Sequence, residues 1–280
     1  SIPNHLRKRH VMPVPAEGGD GLFTQSWFAI CRSQDIQRGE VKGFGFLDGR
    51  IIVYRGDNGE IRVMSAYCPH LGADLAMGKV VGNDIQCGFH HWSFDQHGMC
   101  SGNRIGEAPP RLACLFNFPC REKYGVIWAF NGNEATWELP SFPVPEDDLL
   151  IRVEYDNPIY PCDPWAICAN TPDWQHLITN HQFEFDADAL YKEIQWTGNS
   201  MSYNLKGSMA EGAVDMHAEI HGTSIFMTSG LYAGMINYKM AAFGIPKPGY
   251  TQAFFILAVP KPDGSPGSVV RAEEYLDKAY

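Results

Sequence analysis

Two short loops of the sequence each carry one cysteine and one histidine at a spacing suited to metal binding. The first is Cys68-Pro69-His70, and the second runs from Cys87 to His90, sixteen residues further on. Thiolates and imidazoles are strong metal ligands, and the neighbouring glycines and proline favour tight turns. Two of each ligand allow a Cys2His2 zinc site, or a [2Fe–2S] cluster with two cysteines on one iron and two histidines on the other.

The order of the ligands separates these two interpretations. Zinc fingers pair cysteine with cysteine and histidine with histidine, whereas here each loop can supply one ligand to each iron. The pattern C-x-H followed by C-x-x-H resembles the Rieske family. Neither loop has a further cysteine, and Trp92 stands where high-potential members place a hydroxyl, which implies a low-potential electron relay. We expect His91 and His97 to be surface or hydrogen-bonding residues.

A second candidate metal site lies in the stretch NTPDWQHLITNH, which begins at Asn170. His176 and His181 are five residues apart, so a regular α-helix would point them about 140° away from each other. If both bind one metal, the helix must end or bulge between them, near Thr179-Asn180. Asp173 shares a face with His176, and its carboxylate can accept a hydrogen bond from the imidazole ring.

Together with the cysteine loops, the pattern N-x-x-D-x-x-H-x-x-x-x-H resembles the Rieske non-haem iron oxygenases. The form is similar to the branch that contains dicamba monooxygenase, vanillate O-demethylase and steroid hydroxylases. The resemblance implies that Cys68 and Cys87 bind one cluster iron, and that His70 and His90 bind the other.

The same resemblance implies a mononuclear Fe(II) held by His176 and His181, with Asn170 close to it. It also implies that Asp173 bridges, through hydrogen bonds, a histidine ligand of this iron and a cluster histidine of a neighbouring subunit. Such a bridge requires several copies of the chain, and a homotrimer is the implied assembly.

The third iron ligand in that family is a late aspartate or glutamate, which the sequence does not identify. Glu273, Glu274 and Asp277 are the late acidic candidates, but they come earlier than the family spacing implies, and a helix surface explains them as well. We expect this chain to lack residues at its C-terminus or from a loop. The alternating stretch VDMHAEIH, which ends at His221, indicates a half-exposed strand rather than another metal site.

The elements that position these residues are mostly β-strands. The stretches on either side of Gly56-Asp57-Asn58-Gly59 predict a hairpin, and YGVIWAF predicts another strand. The proline-rich, acidic ELPSFPVPEDD indicates a boundary. Asp163 and Pro164 are suited to begin a helix, and Pro172 should interrupt it. After Lys192 the pattern returns to β.

The predicted elements and the resemblance together imply an α+β fold with two domains. An N-terminal all-β Rieske [2Fe–2S] domain spans residues 20–135, and a linker spans residues 136–148. Residues 149–280, joined by the N-terminal segment 1–19, form a catalytic domain of helix-grip type with an antiparallel sheet, incomplete at its C-terminus.

Composition limits the possible functions. The formal net charge of -10 argues against nucleic-acid binding, and the longest apolar runs are too short to span a membrane. Eight cysteines scattered over 280 residues indicate a reducing cytoplasm rather than a disulfide framework. No targeting segment is evident.

The implied function is that of a terminal oxygenase. It would use O2, and electrons from NAD(P)H through a reductase, a ferredoxin or both, to hydroxylate or demethylate a small apolar substrate, with an aromatic one favoured. A cis-dihydroxylating dioxygenase or steroid hydroxylase of the same family is the near alternative. A Rieske electron carrier with a non-catalytic second domain, or a structural zinc protein, would be of another class.

Overall fold

The computed structural model describes residues 2–11, 25–186 and 194–278, which divide into two compact units. The first unit comprises Ser1–Glu138 and Ile245–Pro248, and the second comprises Leu139–Gly244 and Gly249–Tyr280. The boundary at Glu138 falls inside the proline-rich, acidic stretch.

The described N-terminal residues lie in the first unit, whereas the sequence pattern predicts residues 1–19 to join the second domain. The side-chain amide of Asn4 donates to the carbonyl oxygen of Asn117 at 2.8 Å and accepts from its N–H at 2.9 Å. Arg9 donates to Oδ1 of Asn131 at 2.5 Å. Such polar contacts leave no hydrophobic pattern in a sequence. Residues 12–24, and with them the predicted domain start at residue 20, lie outside the described residues.

The described part of the first unit contains eleven β-strands in three antiparallel sheets. These strands are β1 (Trp27–Arg32), β2 (Val41–Phe46), β3 (Gly49–Arg55), β4 (Ile61–Ser65), β5 (Lys79–Val81), β6 (Asp84–Gln86), β7 (Ser93–Phe94), β8 (Cys100–Gly102), β9 (Asn117–Phe118), β10 (Cys120–Lys123) and β11 (Val126–Phe130). Their orders are β1-β11-β10, β2-β3-β4-β9 and β5-β6-β7-β8. The predicted hairpin is confirmed as β3 and β4, and YGVIWAF contains β11.

Strand β3 contributes to two hydrophobic cores at once. Its residues 51–54 are all fully buried. Successive side chains of a strand point to opposite faces, so Ile51 and Val53 enter one core while Ile52 and Tyr54 enter another. The second core also contains the two cysteines of the candidate cluster loops. A run of consecutive apolar residues is therefore needed here, rather than the alternation of a half-exposed strand.

The second unit is an antiparallel sheet with helices. Its strands are β12 (Leu149–Tyr160), β13 (Glu184–Phe185), β14 (Gln195–Thr197), β15 (Ser200–Met209), β16 (Gly212–His221), β17 (Ile225–Tyr232), β18 (Met235–Gly244) and β19 (Thr251–Pro260). They follow the order β12-β19-β18-β17-β16-β15-β13, with β14 paired to β15. The helices are α1 (Pro164–Asn170), α2 (Trp174–His181) and α3 (Pro266–Lys278).

All three helices pack against the same face of this sheet. Ile167 of α1 packs in a cluster with Ile220, Leu177 of α2 in a cluster with Met216, and α3 in a cluster with Leu257. The strand registers place these sheet residues on one face. A sheet that holds its helices on one face confirms the predicted α+β fold with a helix-grip second domain. No helix of the described ranges is long and apolar enough to cross a membrane.

An ion pair links the end of β3 to β10 in the first unit. Arg55 donates two hydrogen bonds, of 2.7 and 2.8 Å, to the carboxylate of Glu122. The hydrogen bond from Arg55 is the main reason that the pKa of Glu122 lies below its ordinary value of 4.5. Folding therefore stabilises the ionised form, so the contribution is complete above the unfolded-state pKa and is lost as pH falls through the folded-state pKa.

We expect Glu122→Gln to lower the free energy of unfolding at pH 7 by roughly 0.5–1 kcal/mol, as for a partly screened ion pair. The difference in free energy of unfolding between this variant and the parent protein should become smaller below about pH 4.5. Urea denaturation across this pH range measures it. Glu138→Gln is the control, because the Glu138 side chain is 77% exposed in its pair with Arg121. A loss that stays constant between pH 7 and pH 3 would contradict the assignment.

Candidate metal centres

The two cysteine loops fold with the same backbone hydrogen bonds. In the first loop, the N–H of Cys68 donates to the carbonyl oxygen of Ala73, and the N–H of Gly72 donates back to the carbonyl oxygen of Cys68. In the second loop, Cys87 pairs in the same way with the residues five and four positions later, Trp92 and His91. Each loop therefore closes on its own cysteine, although the histidine is two residues after Cys68 and three after Cys87.

The fourth residue after each cysteine has a left-handed backbone. Its φ is +79° at Gly72 and +61° at His91. Glycine adopts this conformation freely, whereas a histidine there is uncommon. His91 therefore serves as the corner of the loop, and its side chain is only partly exposed. His97 is exposed. The positions of His91 and His97 in the chain differ from those of the four candidate ligands, so neither is assigned as a ligand.

Gly88 is required by a close approach between loops. A Cβ atom at this position would lie 2.8 Å from the carbonyl oxygen of Met77, nearer than a carbon and an oxygen can pack. Met77 ends the short 3-10 helix Leu75–Met77, whose N-cap Asp74 also forms an ion pair with Arg50 at 2.8 Å. The second loop can therefore lie directly against this 3-10 helix, which follows the first loop in the chain.

The candidate ligands separate into buried thiols and exposed imidazoles. Cys68 and Cys87 are 3% and 2% exposed, while His70 and His90 are exposed, with ring centroids 4.7 Å apart. Burial, with a smaller contribution from the neighbouring Cys87 thiol, raises the pKa of Cys68 to about 12. Two buried thiols need a metal to be held as thiolates, and this donor set suits a [2Fe–2S] cluster with its histidine-bound iron towards the surface.

Aromatic residues fix the two imidazoles. The Trp92 ring stacks on His70 with centroids 4.5 Å apart and planes 7° apart. The Phe89 ring lies against His90, at a centroid distance of 3.8 Å. The residue that replaces the family's hydroxyl therefore orients a candidate ligand by stacking.

The second centre is built on helix α2. The predicted interruption at Pro172 is confirmed, because α1 ends at Asn170 and α2 begins at Trp174. Asp163 is the N-cap residue of α1, as predicted, but its carboxylate accepts from the N–H of Gly249 at 2.6 Å instead of capping that helix.

The rings of His176 and His181 meet without the predicted break at Thr179-Asn180. Their Nε2 atoms are 3.2 Å apart, and α2 runs unbroken to His181. The backbone N–H groups of Gln182 and Phe183 donate to the carbonyl of Leu177, five and six residues back. These bonds widen the last turn beyond the α-helical four residues. The predicted position of the distortion, near Thr179-Asn180, was therefore wrong. The helix is distorted at its C-terminal end instead.

The expected hydrogen bond from the His176 ring to Asp173 is not formed. The carboxylate of Asp173 instead accepts from the backbone N–H of His176 at 3.2 Å, as the N-cap of α2. The side-chain amide of Asn180 lies 2.8 Å from Nδ1 of His176. Asn180 is four residues after His176 and so shares its face of the helix, a signal that the sequence offered and we did not use. Asn170 is exposed, and its carbonyl accepts from the N–H of Asp173.

The three acidic candidates near the end of the chain, Glu273, Glu274 and Asp277, lie on the exposed side of α3. Arg152 forms ion pairs with Asp277 and with Glu273, the latter at 2.7 Å, and Glu274 is exposed. Within the described ranges, no group of three His, Cys, Asp or Glu side chains converges on one metal position. A third ligand to join His176 and His181 is thus not identified among them.

The alternating stretch of β16 behaves as predicted for a half-exposed strand. Val214, Met216, Ala218 and Ile220 are buried between more exposed polar residues. Glu219 lies 3.5 Å from Nε2 of His221, whose hydrogen bond is the main reason that the pKa of Glu219 is lowered. Nδ1 of His217 lies 3.0 Å from Oδ1 of Asn204 on β15, so part of this polar face pairs with the neighbouring strand.

An apolar cavity of about 450 Å³ adjoins His181 on the helix-bearing face of the sheet. Phe226, Thr228 and Lys239 are among its lining residues. The aromatic and methionine-rich sequence around them suits a pocket or a core equally well, and only the pairing of β17, β18 and β19 brings these residues together. The sequence therefore did not reveal Lys239 as a lining residue.

Comparisons with known proteins identify the domain that carries the two cysteine loops. Residues 26–118 match the family model of the Rieske [2Fe-2S] domain. Over 146 residues the chain is 36% identical to cholesterol 7-desaturase nvd 1 of Ciona intestinalis, a match that covers 50% of this chain and 30% of that protein. The chain thus matches less than a third of that relative's length.

Two solved structures show the same fold over most of the chain. NdmA of Pseudomonas putida CBB5, solved with caffeine, has a TM-score of 0.71 at 18% identity, covering 91% of this chain and 81% of its own. Dicamba monooxygenase bound to dicamba has a TM-score of 0.66 at 18% identity, covering 92% and 84%. They confirm the predicted resemblance in fold, and the matching domain confirms the predicted Rieske [2Fe–2S] domain of the first unit.

We expect Gly88→Ala to lower the cluster content to roughly half or less, because displaced metal ligands typically cost about 10- to 100-fold in affinity. Iron and acid-labile sulfide per chain, with the rhombic EPR signal of the reduced protein, measure the cluster. Gly102→Ala is the matched control, since a Cβ atom at Gly102 meets nothing within 4 Å. Full cluster content in the Gly88 variant would disprove the close-approach argument.

Proposed function

We propose that this chain is the terminal oxygenase component of a multicomponent Rieske system that hydroxylates or oxidatively demethylates a small apolar substrate. One observation carries the proposal. A chain with a Rieske domain also holds His176 and His181 with their Nε2 atoms 3.2 Å apart, beside an apolar cavity of about 450 Å³. Cavities of this size bind small molecules.

The proposed cluster ligands are Cys68, His70, Cys87 and His90. The proposed ligands of the mononuclear iron are His176 and His181, which supply two imidazoles of a site with two histidines and one carboxylate. When bound, the cluster would supply single electrons and the mononuclear iron would bind O2.

The side chains around the histidine pair have their own tasks in this proposal. Asn180 holds Nδ1 of His176 and so keeps its Nε2 directed towards His181. The apolar cavity wall excludes water from the substrate. Asp173 is exposed at the start of α2, where a cluster histidine of a neighbouring copy could reach it. Asn170 would lie near the iron.

The remaining assignments follow from the family resemblance. The domain division into residues 20–135, 136–148 and 149–280, a homotrimer, and electron supply by a ferredoxin or an NAD(P)H-dependent reductase all belong to the proposal. A cytoplasmic location is supported by the eight cysteines, which are all free thiols in the structure.

A Rieske electron carrier with a non-catalytic second domain is the second candidate. It is favoured by one observation, namely that no third carboxylate joins the histidine pair among the described residues. The two candidates differ in iron content, because a carrier holds only the two irons of its cluster.

We expect His176→Ala and His181→Ala each to lower the iron content by about one per chain, because two of the three protein ligands are histidines. Sulfide content and the cluster EPR signal should stay unchanged, and product formation should fall by about 100-fold or more. His217→Ala, an exposed histidine on β16, is the control. Unchanged iron in both helix variants would leave the electron carrier as the better description.

We expect Asp173→Asn to lower turnover by roughly 10- to 100-fold while both metal sites stay filled, because a neutral amide is a weaker partner than a carboxylate for the cluster histidine of a neighbouring copy. Asparagine caps helices as well as aspartate does, so α2 should keep its stability. Metal analysis and the thermal midpoint establish this before turnover is compared. Undiminished turnover in a fully loaded variant would rule out the bridge.

A further inference from the structure

The cavity beside His181 is floored by two rows of side chains across β17, β18 and β19. The strand registers define the rows, since residues directly opposite each other share a face. The rows are Phe226-Ala241-Phe255 and Thr228-Lys239-Leu257. The first row is entirely apolar, and the second carries a single cation at its centre.

Lys239 is half-buried in this apolar wall. Its Nζ atom lies 5.0 Å from the centroid of the Tyr232 ring. Within the ranges that the structure describes, no carboxylate oxygen lies within 4 Å of it. Burial lowers the pKa of Lys239 below its ordinary value of 10.5, as expected for an ammonium group that has lost water without gaining an anion.

Arg152, another cation on the same face of the sheet, differs from Lys239 in having carboxylate partners. Arg152 of β12 lies opposite Leu257 of β19, two strands beyond Lys239 of β18 in the same row. It forms ion pairs with two carboxylates of α3, Glu273 and Asp277. Arg152 is therefore neutralised by ion pairs, whereas Lys239 lines the cavity without such a carboxylate partner among the described residues.

We propose that Lys239 binds a carboxylate group of the substrate, so that the substrate is an amphipathic organic acid with its apolar body on the Phe226-Ala241-Phe255 row. This inference rests on the proposed function for the identity of the cavity as a substrate site. Lysine recognises an anion as a point charge, and the hydroxyl of Thr228, directly opposite on β17, offers a second donor. Lys239 is thus a specificity-determining residue, and His181 marks the other part of the cavity.

Binding of matched acids and amides tests the proposal without any turnover. The probes are 2-naphthoate, biphenyl-4-carboxylate and decanoate, each paired with its primary amide, and the protein is the metal-loaded full chain without reductant. Isothermal titration should show at least one acid binding roughly 10- to 100-fold more tightly than its amide, the usual strength of a charge-assisted hydrogen bond. In Lys239→Met the acid should lose this advantage while the affinity for the amide stays unchanged.

The control is Lys206→Met, because Lys206 is an exposed lysine on β15 of the same sheet. It should keep the preference for the acid. The proposal is overturned if no acid binds the parent more tightly than its amide, if Lys239→Met keeps the preference, or if that variant weakens acid and amide equally. A preference that depends on Lys239 in a protein without oxygenase activity would support the binding site and refute the proposed function instead.

Discussion

The backbone hydrogen bond that closes each cysteine loop is the interaction on which the first centre depends. It fixes each cysteine at the base of its loop, inside the core shared with Ile52 and Tyr54. The histidines then lie above, where Trp92 stacks on one of them. Because both loops use the same bonds, two different spacings from cysteine to histidine still produce one layer of thiols below one layer of imidazoles. The close contact at Gly88 lets the second loop lie against the 3-10 helix that follows the first loop.

The second centre solves a related problem with a helix. A regular helix cannot bring residues five apart together, so the geometry must change between His176 and His181. The change is made where it costs least, in the last turn, because terminal carbonyl groups have no further helical partner to lose. Asp173 meanwhile fixes the start of the same helix as its cap. The start of this eight-residue helix is thereby set by Asp173, and its end by the bonds of Gln182 and Phe183 to Leu177.

The sheet of the second unit gives this helix a surface to pack on and gives the site a cavity. Part of its helix-bearing face is covered by packed helices. Another part, on β17, β18 and β19, lines the cavity. Leu177 and Met216 show the packed part, in one hydrophobic cluster, while Phe226 and Lys239 show the open part. Charges on this face follow the same division, since Arg152 is neutralised by α3 and Lys239 is not.

The structural elements that could be predicted from the sequence alone are those that depend on residues close together in the chain. The two cysteine loops, the hairpin around Gly56–Gly59, the interruption at Pro172 and the alternation of β16 each depend on residues a few positions apart, and all four are found in the structure. The candidate metal ligands were likewise identified from their residue types and their spacing. The fold class followed from these elements together with the family resemblance.

Only the tertiary structure decided where the last turn of α2 widens, that Asp173 caps backbone rather than holding a ring, and that Lys239 faces a cavity. Helix geometry near a terminus depends on which carbonyl groups remain free, and more than one pattern fits the same residues. A strand residue such as Lys239 can face either side of its sheet until the register with β17 and β19 is fixed. Register depends on residues far apart in the chain, and a single sequence carries no direct record of which of them meet.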